Sequence, residues 1–149
     1  MNEILRAARS PTVRWLLPAA LVCAVVELAL RSTMTLPRLS SLLGIALQLG
    51  PDTRTELPPS APALSLGARD AARFRAACRV LRIWPGTSTG GCLRRALVAG
   101  CLLRRRRPEL HLGVAHIDGR TVAHAWLTID GVVLDPTAQQ YTPLVQGVG

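Results

Sequence analysis

The chain contains no lysine: its 18 basic side chains are all arginine, set against 9 acids for a formal net charge of +9. Replacement of one cation by the other throughout points to coding bias, so the high charge alone does not identify a ligand. Aromatic residues are also scarce, with Trp at 3 positions and Tyr and Phe at 1 each. A surface that binds nucleic acid interleaves stacking rings with its cations, and that pattern is missing, so no nucleic-acid partner is expected. The 4 cysteines, Cys23, Cys78, Cys92 and Cys101, form no CxxC pair and no zinc-ribbon spacing. This argues against a disulfide framework and makes a reducing cytoplasm the simpler setting. A cleavable signal is not expected, because Glu3 lies in the N-terminal stretch and the apolar run begins only near Trp15.

What is present is a chain of 149 residues with 49% apolar side chains, enough for a folded core. Composition divides it into a hydrophobic helical region over 1–50, a Pro-rich linker over 51–64 and a second folded region over 65–149. Residues 2–9 suit a short helix. The run from Trp15 to Leu30 is interrupted only by Glu27. It is short of the roughly twenty residues of a membrane span, so it is expected to pack or dock as a helix, with contact to a membrane surface left open. Pro37 is expected to end that unit, and Leu39 to Leu49 to form a second apolar helix. A third helix is expected from Leu66 to about Ile83, with Ala71, Phe74, Cys78 and Leu81 as its buried face.

Trp84-Pro85-Gly86 closes that helix, and the Gly-rich loop through Gly91 leads to CLRRALVAGCLLR, which begins at Cys92. That helix is apolar around most of its circumference and is expected to be the most buried one. Arg104 to Arg107 complete its C-terminal end, where cations complement the dipole. Next come a strand from His111 to Ile117, an Asp118-Gly119 turn, a strand to Ile129, and a second turn at Asp130-Gly131. Asp-Gly favours the two-residue hairpin turn that needs positive φ at both positions. The first pairing sets Gly113 opposite His124 and puts His111 on the His124 face and His116 on the other. The second sets Trp126 opposite Asp135, so His124, Trp126 and Asp135 share a face.

Three residue types from distant parts of the chain then suggest chemistry. Unpaired N–H groups and the dipole at a helix start favour a thiolate, and Cys92 opens a helix. A strand imidazole, His124, can take and return a proton, and the Asp135 carboxylate can fix its tautomer. The backbone N–H of Cys92 is a candidate oxyanion donor. Trp84, Gly113 and Trp126 are pocket candidates, Gly113 because a missing side chain beside His124 leaves room for the start of the Cys92 helix. Asp118 and Asp130 are poorer orienters, being used in turns. No sequence-local ligand pair supports a metal site built from Cys92, His111 and His124, and none is expected.

The segments Gly91-Cys92-Leu93-Arg94-Arg95-Ala96-Leu97, Leu112-Gly113-Val114, Ala123-His124-Ala125-Trp126 and Val133-Leu134-Asp135-Pro136-Thr137 together resemble the transglutaminase-like cysteine protease superfamily. Within it, the chain is similar to the stand-alone leader-peptide proteases of lasso-peptide biosynthesis. The resemblance implies an α+β fold, transglutaminase-like or papain-like, with a central helix on a small antiparallel sheet and a helical N-terminal region. It implies a Cys92, His124, Asp135 triad without a cofactor, hydrolysing the bond between leader and core of a ribosomally made precursor. It also implies a separate leader-recognition protein and an ATP-dependent macrolactam cyclase as partners. Where many lasso proteases have Asn-Asp, this chain has Leu134-Asp135. Two other readings stand beside this one: acyl transfer or deamidation by the same triad, and a non-catalytic arginine-rich adaptor on a membrane or acidic partner.

Overall fold

The computed structural model describes residues 11–49, 66–85 and 90–144. The expected helix over 2–9, the Pro-rich linker and most of the loop before Gly90 lie outside them. A 3₁₀ turn at Val13–Trp15 leads into α1, Leu16–Arg31. Pro18 falls in its first turn, where no intrahelical N–H is lost. Ala19, Cys23 and Val26, at helical spacing, are fully buried, and Glu27 is buried with them.

The expected apolar helix over Leu39 to Leu49 is instead a helix followed by a strand. α2 runs from Leu36 to Leu42, with Pro37 in its first turn, not at the end of the preceding unit. Gly44, at φ +72°, turns the chain out of the helix, and β1, Ala46–Gln48, pairs in parallel with Glu109–His111. A short apolar run does not distinguish helix from strand by periodicity, and the left-handed glycine decides it.

α3, Ala68–Ile83, buries Ala72, Ala76, Ala77, Val80 and Leu81. This stripe is turned from the expected one: Ala71, Phe74 and Cys78 are only half-buried. The helix packs against both α1 and α4 (Gly91–Leu102), which also contact each other. In α4 every residue from Ala96 to Gly100 is buried, as its apolar circumference predicts. α4 ends at Leu102, and Arg104–Arg106 form a separate 3₁₀ turn. Arg106 bonds Asp130 at 2.9 Å, so one arginine of the run has a structural partner.

The sheet has the order β1-β2-β3-β4, from β2 (Glu109–Ile117), β3 (Arg120–Ile129) and β4 (Val132–Val133). β5, Thr142–Pro143, pairs antiparallel with Gly113 and Val114 on the edge of β2 that β1 uses further back. The first hairpin is as expected, the second has a shorter ladder, and β1 makes the sheet mixed. Leu39, Leu43 and Ile45 share one core with Val26, Val80, Leu97, Leu110 and Leu127, so the N-terminal helices and the later residues are packed together. The architecture is α+β.

Candidate active site

Both hairpin turns have the predicted backbone. Asp118 and Gly119 have φ of +49° and +73°, and Asp130 and Gly131 have +52° and +76°. The first turn fixes a register in which Gly113 faces His124 and His111 faces Trp126. The rings form a column: Tyr141 stacks on His124 at 4.6 Å, His124 on Trp126 at 6.1 Å, and Trp126 on His111 at 5.7 Å. Such contacts restrict ring rotation as well as adding buried area.

The second hairpin ladder is shorter than expected. It ends at the pair Thr128 and Val133, and Leu134 then donates its N–H to Leu127 O. Asp135 therefore lies just past the ladder and caps the 3₁₀ turn Pro136–Gln140. Each carboxylate oxygen has two donors. Oδ1 accepts from the Thr137 N–H at 3.0 Å and the Thr137 hydroxyl at 2.7 Å. Oδ2 meets His124 Nε2 at 3.0 Å and accepts from an Arg95 Nη at 2.7 Å. Burial acts to raise the Asp135 carboxyl, but the Thr137 hydroxyl and amide, the imidazole and the Arg95 guanidinium outweigh it and hold the group below its ordinary range.

Arg95 entered the sequence reading only as part of the Gly91–Leu97 segment, without a role of its own, and its partner lies 40 residues away. Tyr141 was also missed as a neighbour of His124. The Asp-Pro-x-x sequence after β4, a cap signal with proline at the first helical position, was the available clue to how Asp135 is fixed.

Cys92 is a free, half-buried thiol in the first turn of α4. Among the described residues the first N–H of that helix with a helical-type acceptor is Arg94's, to Gly90 O at 3.2 Å, and the Cys92 N–H belongs to the helix-start amides that precede it. Arg95 lies one turn further along the same stripe. Ala125 and Leu127 face the helices, whereas His124 and Trp126 project from the other side of β3. The connection between α4 and the ring column passes through Arg95 and Asp135. Among the described residues the one side-chain hydrogen-bond partner of His124 is Asp135, and no hydrogen bond joins its ring to the thiol.

The three pocket candidates separate. Trp126 is 2% exposed; its indole belongs to the ring column, and its place in β3 borders a pocket of about 190 Å³ lined by Phe74, Cys78, Ala99, Arg95 and Asp135. Trp84 lines a different groove, against Ala24 and Leu28 of α1. The room at Gly113 is taken by the indole and not by the Cys92 helix: a Cβ there would stand 2.7 Å from both Trp126 Cη2 and Thr142 O. His111 is buried, with Nε2 at 2.9 Å from the Thr128 hydroxyl, and belongs to the column.

A helix-start cysteine and a histidine–carboxylate pair on an α+β frame define a recognisable class. The family description "Transglutaminase-like superfamily" matches residues 30–146, most of the chain, and the chain belongs to that superfamily. No curated protein and no solved structure matches it.

Proposed function

We propose that this chain is a cysteine peptidase that removes the leader from a ribosomally synthesised lasso-peptide precursor. Cys92 is the nucleophile, His124 the acid and base, and Asp135 the group that orients the ring. The observation that carries the reading is the His124–Asp135 hydrogen bond, on a carboxylate that Arg95 ties to the helix of Cys92.

With Nε2 engaged by Asp135, Nδ1 is the nitrogen left to take the thiol proton, a step that requires the thiol and the ring, which are not hydrogen-bonded in this structure, to approach one another. The thiolate attacks the scissile carbonyl, the helix-start N–H of Cys92 donates to the oxyanion, and the imidazolium returns its proton to the leaving amine. Water activated by the same nitrogen then hydrolyses the thioester and restores the thiol. No cofactor enters these steps. The CLRRAL, HAW and LDPT segments favour this substrate class, with a separate leader-recognition protein presenting the precursor and a macrolactam cyclase acting afterwards.

The test is mass spectrometry of a lasso precursor incubated with the chain and its leader-recognition protein. Cleavage between leader and core that disappears in Cys92→Ala supports the reading. Normal cleavage by Cys92→Ala overturns it, and transfer of the acyl group to an added amine in preference to water would redirect it to acyl transfer.

A further inference from the structure

The outward side of α1 has no counterpart in the peptidase reading. Leu17, Leu21, Val25 and Leu28 are 80%, 67%, 50% and 73% exposed, and their spacing sets them in one stripe along the helix. The opposite side is fixed in the protein by Ala19, Cys23 and Val26, and buried Glu27 pairs with Arg94 of α4. The segment Val13–Arg31 is apolar and long enough to cross a bilayer. Crossing would strip that inner face from its core and separate Glu27 from Arg94, so the helix has to remain on the body of the protein.

We propose that this stripe is a membrane-interfacial surface, on which α1 lies in the plane of an anionic lipid bilayer with the rest of the fold above it. The apolar residues would enter the boundary between headgroups and acyl chains, as the apolar side of an interfacial helix does. Charge complementarity supports lipid as the occupant. Exposed Arg14 and Arg31 stand at the two ends of the stripe; the one acid of this helix, Glu27, is buried against Arg94 and lies 3.9 Å from Arg31, whose side chain stays largely exposed. Arginines at those positions can extend to phosphate headgroups while their stems stay on the apolar surface. The stripe itself has no side-chain hydrogen-bonding group between Leu17 and Leu28, whereas specific protein interfaces carry about one hydrogen bond per 100–200 Å². The non-directional surface of a bilayer suits it better than a protein partner does.

The experiment is co-sedimentation of the full chain with vesicles of phosphatidylcholine alone and of phosphatidylcholine mixed equally with phosphatidylglycerol. The chain should sediment with the mixed vesicles. A triple variant, Leu17→Gln, Leu21→Gln and Leu28→Gln, alters only exposed positions and should keep its circular dichroism while its partition falls on the order of tenfold or more. The pair Arg14→Gln and Arg31→Gln should lose on the order of tenfold on mixed vesicles and little on neutral ones. Absence of binding by the parent chain overturns the proposal, as does a folded triple variant that binds like the parent. Loss of leader-recognition-protein binding by the triple variant, with no vesicle binding by the parent, would assign the stripe to a protein instead. Precursor cleavage in detergent-free solution is read separately, so failure of the lipid proposal leaves the peptidase proposal standing.

Discussion

Asp135 holds His124 through Oδ2, at 3.0 Å from Nε2, and that same oxygen also takes the Arg95 guanidinium at 2.7 Å. In the proposed mechanism an ionised carboxylate here keeps the Nε2 proton in place and leaves the Nδ1 lone pair for proton transfer. Asp135→Asn should therefore lower precursor cleavage by about two to four orders of magnitude, with substrate binding little changed. Arg95→Ala removes a half-exposed partner and should cost far less. Single-turnover cleavage rates compare the two, and equal losses would mean that Arg95 does more than steady the carboxylate.

The depressed Asp135 carboxyl also makes stability depend on pH. Its value is lower in the folded chain than in the unfolded one, whose reference is about 3.9, so the native state is favoured above that reference. This contribution disappears as pH falls through the folded value. Denaturant titrations at stepped pH should show the parent losing stability on acidification more steeply than Asp135→Asn. Parallel curves would contradict the assignment.

Gly113 and Gly100 should respond differently to alanine. At Gly113 the new Cβ meets Thr142 O at 2.7 Å and the Trp126 ring at 2.7 and 2.8 Å, a backbone atom and a packed indole that have little room to move. At Gly100 the nearest atom, at 2.6 Å, is the far methyl of Ile45, which can turn aside. Gly113→Ala should destabilise by about 1–3 kcal/mol and weaken the β5 pairing beside His124. Gly100→Ala should cost less, and thermal unfolding ranks the pair.

Glu27 and Arg94 join α1 to the helix that carries Cys92. Glu27→Ala should destabilise by about 3 kcal/mol, because a mostly buried guanidinium loses that carboxylate. Replacing both residues, as Glu27→Leu with Arg94→Met, should recover most of the loss. Chemical denaturation of the two variants measures the difference.

The hairpins were legible because two Asp-Gly pairs fix turn type and register together, and register places His124 and Trp126. α4 was legible from a circumference that is apolar apart from Arg94 and Arg95. β1 was not, since Leu39 to Leu49 suits helix or strand, and a parallel pairing with Glu109–His111 depends on contacts distant in sequence. The rotation of α3 was hidden for a related reason: with two helices packed against it, its small alanines are buried and Phe74 is left beside the pocket. His124 and Asp135 could be paired from strand alternation, although the carboxylate is positioned by its Thr137 cap and not by the ladder. Arg95 could not be found that way, because surface arginines carry no local mark of their partner.

The central claim is that the Cys92 thiol and the His124 ring work as one unit. Burial pushes the Cys23, Cys78 and Cys101 thiols above their ordinary values, so they provide slow internal references. The most direct measurement is the rate of iodoacetamide labelling of each cysteine in the native chain and in His124→Ala, read by peptide mass mapping. Labelling of Cys92 about tenfold or more faster than the other three, slowed by a similar factor in His124→Ala, is the predicted result. Labelling of Cys92 no faster than the rest, or unchanged when the imidazole is removed, would contradict it.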